Sequence, residues 1–209
     1  MKKLILLVIL LLTGTIKADY APPTLNELIL KADKILYGEI QCVDATVIEV
    51  GLQGSIDEDL VSIKISKFKE WNCGKRWMEY QVGQTSLFFL TLKNGEYHPM
   101  GGGNEGELPI RNDKVYVHAS TISSIDYVSQ FERSTITMED NGFNNPFNGY
   151  ALEFYELWQA IDLINKCFTS DVNAVGKLFN IQQKCPTTEF GSVIEQNSIF
   201  RWALGKLES

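Results

Sequence analysis

The chain is poor in the residues that carry metal or nucleophile chemistry. It has two histidines, His98 and His118, and its four cysteines form no Cys-x-x-Cys pair. A structural zinc site takes four cysteine or histidine ligands, commonly in closely spaced pairs, so we predict no metal site and no cofactor. No Gly-x-Ser-x-Gly sequence is present, which argues against the hydrolases that use this nucleophile elbow.

Basic residues are outnumbered by acidic ones. There are 19 Lys and Arg against 26 Asp and Glu, and residues 1–18 contain Lys2, Lys3 and Lys17 but no acid. Without that segment, Lys and Arg fall from 19 to 16 and the formal charge becomes −10. Binding to phosphates depends on clustered Lys and Arg. The balance therefore argues against nucleic acid and anionic membrane surfaces as main partners.

An apolar run near the start, residues 4–12, is much shorter than the roughly 20 residues that a membrane-spanning helix needs. It follows Lys2 and Lys3 and leads to the small residue Ala18, which is the pattern of a secretory signal peptide. We predict that residues 1–18 are removed and that the mature chain begins at Asp19, secreted or periplasmic and not embedded in a membrane. An uncleaved N-terminal anchor is the alternative.

The four cysteines all follow the predicted cleavage point, and an even number in an exported chain favours disulfides. Four cysteines allow three pairings. We favour Cys42–Cys73 with Cys167–Cys185, because each pair then stays within one structural segment. Closing the second loop would stabilise the fold by about 3 kcal/mol in the chain-entropy model.

Alternating apolar and polar side chains predict strands in the middle of the chain, for example at residues 36–42 and 61–65. Residues 51–59 read as a polar connection between these two strands. Asn94-Gly95 between apolar segments predicts a hairpin, and further strands are predicted at residues 107–110 and 114–118. About five short strands suit a small closed or partly open barrel.

Helices are predicted on either side of these strands. Thr24 with Glu27, and Ser192 with Glu195, form capping-box patterns, and residues 151–166 place their large apolar side chains on one helical face. Residues 123–138 are weakly patterned, and residues 140–149 read as a loop. We predict an α+β fold: a five-stranded OB-like barrel with an N-terminal helix in residues 19–120, and a C-terminal helical extension, residues 121–209, packed on it.

The order of these segments resembles the OB-type barrel of the tissue-inhibitor-of-metalloproteinases and netrin superfamily, especially its small exported bacterial members. The resemblance covers about residues 24–118 and is carried by residues 32–40, Phe68-Lys69, residues 82–84 and the apolar residues 87–90. It implies the barrel fold and an inhibitor-like mode of action. The animal inhibitors chelate the zinc of the protease through an N-terminal cysteine. Because the first cysteine here is Cys42, we expect no chelation-type inhibition.

Two groups of residues are candidate sites. Glu105 and Glu107 are two apart and would share one face of a strand, where paired carboxylates can act as acid and base; the alternative is that they satisfy backbone donors or face water. Trp71, Arg76 and Trp77 surround Cys73 and would form an aromatic binding patch if exposed, or barrel packing if not. The glycines at 101–103 lack the Lys-Ser/Thr ending of a phosphate loop and predict a turn.

These observations predict an exported, non-enzymatic binding or inhibitor-like protein whose partner is another protein. An exported hydrolase that uses Glu105 and Glu107 is the first alternative, and a structural component of the cell envelope is the second.

Overall fold

The computed structural model describes residues 20, 22–56, 61–71, 76–102, 105–118, 132–136, 147–173 and 177–207. Within these ranges the chain has eleven strands and four α-helices. The strands are β1 (Lys34–Val43), β2 (Val47–Ser55), β3 (Ser62–Ser66), β4 (Thr85–Lys93), β5 (Glu96–Pro99), β6 (Glu107–Arg111), β7 (Lys114–His118), β8 (Glu132–Ile136), β9 (Phe147–Glu153), β10 (Phe168–Val172) and β11 (Leu178–Gln183). The helices are α1 (Leu25–Lys31), α2 (Phe154–Cys167), α3 (Gly191–Gln196) and α4 (Ser198–Leu207), with a short 3₁₀ turn at Thr187–Glu189.

The first five strands form a closed OB-like barrel, which confirms the predicted class. The strands predicted at residues 107–110 and 114–118 are not among these five; they form β6 and β7, which continue the sheet beyond β4. The barrel strands follow the order β1-β2-β3-β5-β4, and β4 returns to pair with β1. The β3–β5 contact is parallel, whereas the other barrel pairings are antiparallel. The alternating apolar residues of these strands fill the interior, namely Leu36, Ile40, Ile48, Val50, Ile63, Ile65, Phe88 and Leu90.

Strand β4 is buried on both faces, which explains its unbroken apolar sequence. Phe88 and Leu90 face the barrel interior, while Leu87 and Phe89 face the helices and belong to a second core. The hairpin predicted at Asn94-Gly95 is confirmed: both residues have positive φ, 53° and 84°, and Lys93 pairs with Glu96.

The prediction of a connection at residues 51–59 is wrong for its first half, because β2 continues to Ser55. The glycines of this segment led to the prediction of a connection instead of a strand. Gly54 lies against the ring of Tyr37, where an added Cβ would come within 2.3 Å of a ring carbon, and Gly51 lies equally close to the side chain of Gln41. Both positions require glycine because a side chain would not fit there, although glycine within a sequence segment normally suggests a turn or a bulge.

The C-terminal part contains strands as well as helices. The helix predicted from residue 151 begins at Phe154, because residues 151–153 belong to β9 and pair with β7. Part of the segments described as weakly patterned and as a loop forms β8 and the start of β9, which pair with each other. The helices share one core with the outer face of β4, through residues that include Leu157, Ile161, Ile164, Ile199 and Phe200.

One of the two predicted capping boxes is confirmed. Thr24 Oγ1 accepts from the Glu27 N–H, and Glu27 accepts from the Thr24 N–H at 2.9 Å. At the second position, α3 begins after Phe190 with no side-chain cap, so the prediction for Ser192 is wrong.

None of the helices in the described ranges combines the length and apolar character needed to cross a bilayer.

Candidate functional site

A buried salt bridge joins the β3–β4 connection to the barrel. Arg76 lies in that connection and is 3% exposed, and Glu107 is the first residue of β6 and is fully buried. The Arg76 Nε donates to Glu107 Oε2 at 2.9 Å, and Nη2 donates to Oε1 at 2.5 Å. Glu107 pairs with Phe88, and Ser86 Oγ donates to the same carboxylate. Since opposed residues share a face of the sheet, the salt bridge lies at the end of the barrel interior.

Aromatic rings surround the guanidinium. Its carbon is 3.7 Å from the ring centroid of Tyr80 and 4.4 Å from that of Trp77. Burial, and then the negative charge of Glu107, raises the pKa of Tyr80, although Arg76 acts in the opposite direction. Arg76 also donates to the Met78 carbonyl and to Gln84 Oε1. The charged groups of Arg76 and Glu107 therefore have their partners inside the protein.

A second cluster lies nearby and is partly exposed. The Trp71 Nε1 donates to the Gly102 carbonyl at 3.1 Å, and the Gly102 N–H donates to Glu105 Oε2 at 2.9 Å. Tyr20 meets Trp71 edge to face, with ring centroids 5.7 Å apart. Trp71 and Tyr20 remain 43% and 39% exposed. We call the surface formed by Tyr20, Trp71, Gly102 and Glu105 the aromatic platform.

Burial and the neighbouring Glu105 carboxylate raise the pKa of Tyr20 to about 12. The Tyr20 ring lies so close to Gly102 that an added Cβ there would come within 2.7 Å of a ring carbon. Gly106 packs against the backbone of Met100, where a Cβ would meet the carbonyl oxygen at 2.2 Å. The backbone bends at Gly101, Gly102, Glu105 and Gly106, and Gly101 has a positive φ of 79°. Gly103 and Asn104, in the middle of the predicted turn, lie outside the described residues.

The predicted site residues fall into these two networks, in different combinations from those expected. Glu105 and Glu107 are both buried but have different partners, Gly102 and Arg76 respectively. Of the predicted aromatic patch, Trp71 is exposed, whereas Arg76 and Trp77 are buried.

Sequence reasoning missed Tyr20 and Tyr80. Tyr20 contacts Trp71 and Gly102, which are distant in sequence, and Tyr80 contacts Arg76, four residues before it, in an irregular connection where no periodic pattern marks the pair.

His98 Nε2 lies 3.8 Å from Glu96 Oε2 on β5, and the side chain of His118 is outside the described set. The Cys167–Cys185 disulfide is confirmed. The structure contradicts the Cys42–Cys73 pairing, because Cys42 is a free, exposed thiol on β1; Cys73 lies outside the described residues.

Among the described residues, one group of possible metal ligands comes together, Cys167, Cys185 and Glu189. The two sulfurs of this group are already bonded to each other.

Three comparisons with known proteins found nothing similar. No family model matches the chain, no curated protein matches it, and no solved structure matches it.

Proposed function

We propose that this chain is an exported protein that acts without catalysis, by binding another protein through the aromatic platform. Export is supported by the signal-peptide pattern of residues 1–18. The Cys167–Cys185 disulfide also favours a secreted or periplasmic location, since such bonds persist mainly in oxidising compartments.

The observation that carries the binding proposal is the state of Trp71. Its indole N–H is already bonded to Gly102 and its ring contacts Tyr20, yet 43% of its surface remains exposed. Protein interfaces concentrate their binding energy in Trp, Tyr and Arg residues. An aromatic side chain fixed before binding loses little conformational freedom when a partner covers it.

The salt bridge between Arg76 and Glu107 also supports the binding proposal. The Arg76 N–H also donates to Glu70 Oε1, next to Trp71, while Glu107 follows the turn that holds Gly102 and Glu105. Arg76 and Glu107 therefore link two of the chain segments of the aromatic platform, the one that holds Trp71 and the one that holds Gly102 and Glu105.

The carboxylates give less support to the hydrolase alternative. A general acid or base must reach the substrate or a bridging water. Both oxygens of Glu107 accept from Arg76, and Glu105 is 6% exposed and accepts from a backbone N–H. The closed OB-like barrel agrees with the resemblance to the netrin-like inhibitors, which we retain as a proposal for ancestry and for an inhibitor-like action.

The test is affinity capture from the exported fraction of the native organism, with wild type, Trp71→Ala and Leu92→Ala as baits. Leu92 is a matched control because it is 49% exposed on β4 and is not one of the residues of the aromatic platform. We expect one or more proteins to be retained by wild type and Leu92→Ala but not by Trp71→Ala. Identical capture by all three baits would contradict the proposal, as would a hydrolytic turnover that Glu105→Gln abolishes.

A further inference from the structure

A cavity of about 360 Å³ lies between α1, β11 and α4. Its walls carry five apolar side chains, Leu25, Leu178, Ile181, Trp202 and Leu207. Leu25 and Leu207 are buried, and the other three are half-buried. Ligand pockets have volumes of about 300–1,000 Å³, mostly apolar walls and a few polar groups. The cavity therefore has the size and the lining of a site for a small ligand.

An irregularity in β11 brings two of these side chains to the same cavity. Leu178 and Ile181 are three residues apart, and in a regular strand such residues point to opposite faces. Asn180 lies between them with a φ of 50°, and the register of β11 against β10 shifts between Thr169 and Asp171. This bulge explains how Leu178 and Ile181 both line the cavity.

Contacts within the fold hold the walls in place. Asn26 on α1 is 8% exposed, and its Nδ2 donates to the Ala203 carbonyl of α4 at 3.2 Å. The Cys167–Cys185 disulfide closes the base of the hairpin that β11 forms with β10. The cavity is therefore formed before a ligand binds, as is usual for small-molecule sites.

The charged groups of the cavity favour an anionic ligand. Glu27 lines it, but its Oε1 accepts from Lys31 Nζ at 2.8 Å, so these two charges balance. Lys177 also lines the cavity and is exposed, and its ammonium group has no ion-pair partner among the described residues. The net negative charge of the chain is screened beyond about 8 Å at physiological salt. One lysine beside apolar walls therefore suits a single negative charge on an apolar body.

We propose that this cavity binds a small amphiphilic carboxylic acid, with its apolar chain between α1, β11 and α4 and its carboxylate beside Lys177. The site shares no residue with the aromatic platform, so this proposal and the proposed function can fail independently.

Isothermal titration calorimetry tests the proposal, with the chain from Asp19, its disulfide intact, and decanoate below its micelle concentration as the probe. We expect decanoate to bind. Octanoate should bind about ten-fold more weakly, because two buried CH₂ groups are lost. Decanol, which has no charge, should bind more weakly than decanoate.

Two pairs of variants locate the site. Leu178→Trp should fill the cavity and weaken decanoate binding by about ten-fold; the control is Phe179→Trp, since Phe179 is the next residue of β11, is 49% exposed and does not line the cavity. Lys177→Gln should weaken the binding of decanoate but not that of decanol. Its control is Lys184→Gln, which removes an exposed lysine of the same hairpin that does not line the cavity.

Fluorescence provides a second measurement that does not depend on loss of binding. Because Trp202 lines the cavity, 10-bromodecanoate should quench tryptophan emission in wild type and in Trp71→Phe, but much less in Trp202→Phe. Loss of quenching in Trp71→Phe instead would place the ligand on the aromatic platform and overturn the proposal. It is also overturned if decanoate does not bind, if decanol binds as tightly as decanoate, or if Leu178→Trp binds decanoate as wild type does.

Discussion

The Nη2 of Arg76 lies 2.5 Å from the Oε1 of Glu107, and the two side chains are 2% and 0% exposed. The residues are 31 positions apart, one in an irregular connection and the other on a strand. Removing two charges from water is costly unless their hydrogen bonds are satisfied. Here the remaining guanidinium donors reach Met78 and Gln84, so the pair is a satisfied link between two segments.

Arg76→Ala should therefore be strongly destabilising. It leaves the Glu107 carboxylate buried without a counter-charge, and we expect the free energy of unfolding to fall by about 3–5 kcal/mol. Chemical denaturation measures this change. Lys114→Ala is the control, because its ion pair with Glu153 is exposed to solvent and such pairs contribute less than about 1 kcal/mol. Equal losses in the two variants would show that the buried pair has no special role.

Short sequence patterns correctly predicted those parts of the fold that depend on contacts between residues close in sequence. The Thr24 box joins residues three apart, Asn94-Gly95 closes a two-residue turn, and Ile63 and Ile65 face the interior as their alternation indicated. The barrel class followed from these strands. The β3–β5 pairing and the closure by β1 and β4 are contacts between distant segments, and no sequence pattern specified them.

Contacts between distant segments also limited the prediction of the candidate site. Trp71, Arg76, Glu105 and Glu107 were all singled out, but as an aromatic patch and a carboxylate pair. The structure instead joins Arg76 to Glu107 and Trp71 to the turn beside Glu105. Residue type indicated which side chains matter, whereas their partners depend on contacts of Trp71 and Arg76 with segments distant in sequence. Tyr20 could not be found, since its contacts lie more than fifty residues away.

The cysteines provide a second prediction. Alkylation of the native protein without reductant, followed by peptide mapping, should label Cys42 and recover the Cys167–Cys185 peptides still linked, because Cys42 is exposed and free while the other two are bonded. Replacing both Cys167 and Cys185 by serine should lower the free energy of unfolding by about 3 kcal/mol. A recovered Cys42–Cys73 peptide would contradict this assignment.

Tyr20 provides a pH prediction. Burial and Glu105 raise its pKa from 10.0 to about 12, so the folded state holds its proton when the unfolded state has released it. The stabilisation is complete below pH 10 and is lost as the pH rises towards 12. Denaturation midpoints between pH 8 and 11.5 should therefore fall more steeply for wild type than for Tyr20→Phe. The wild-type phenolate absorbance that Tyr20→Phe lacks should have its midpoint near pH 12. A midpoint near pH 10 would contradict the partial burial of Tyr20 beside Glu105.

Asn197 rather than Ser192 caps the last helices, and this difference gives the fourth prediction. Asn197 is 2% exposed; its Oδ1 accepts from the Phe200 N–H at 2.8 Å, and its Nδ2 donates to the Glu156 carbonyl at 2.8 Å. Asn197→Ala removes a helix cap and leaves a carbonyl of α2 without this donor, so we expect a loss of about 2–3 kcal/mol. Ser192→Ala should change stability by less than about 0.5 kcal/mol, because α3 has no side-chain cap. Thermal and chemical denaturation of the two variants decide between the positions, and a larger loss at Ser192 would restore the capping box that the sequence suggested.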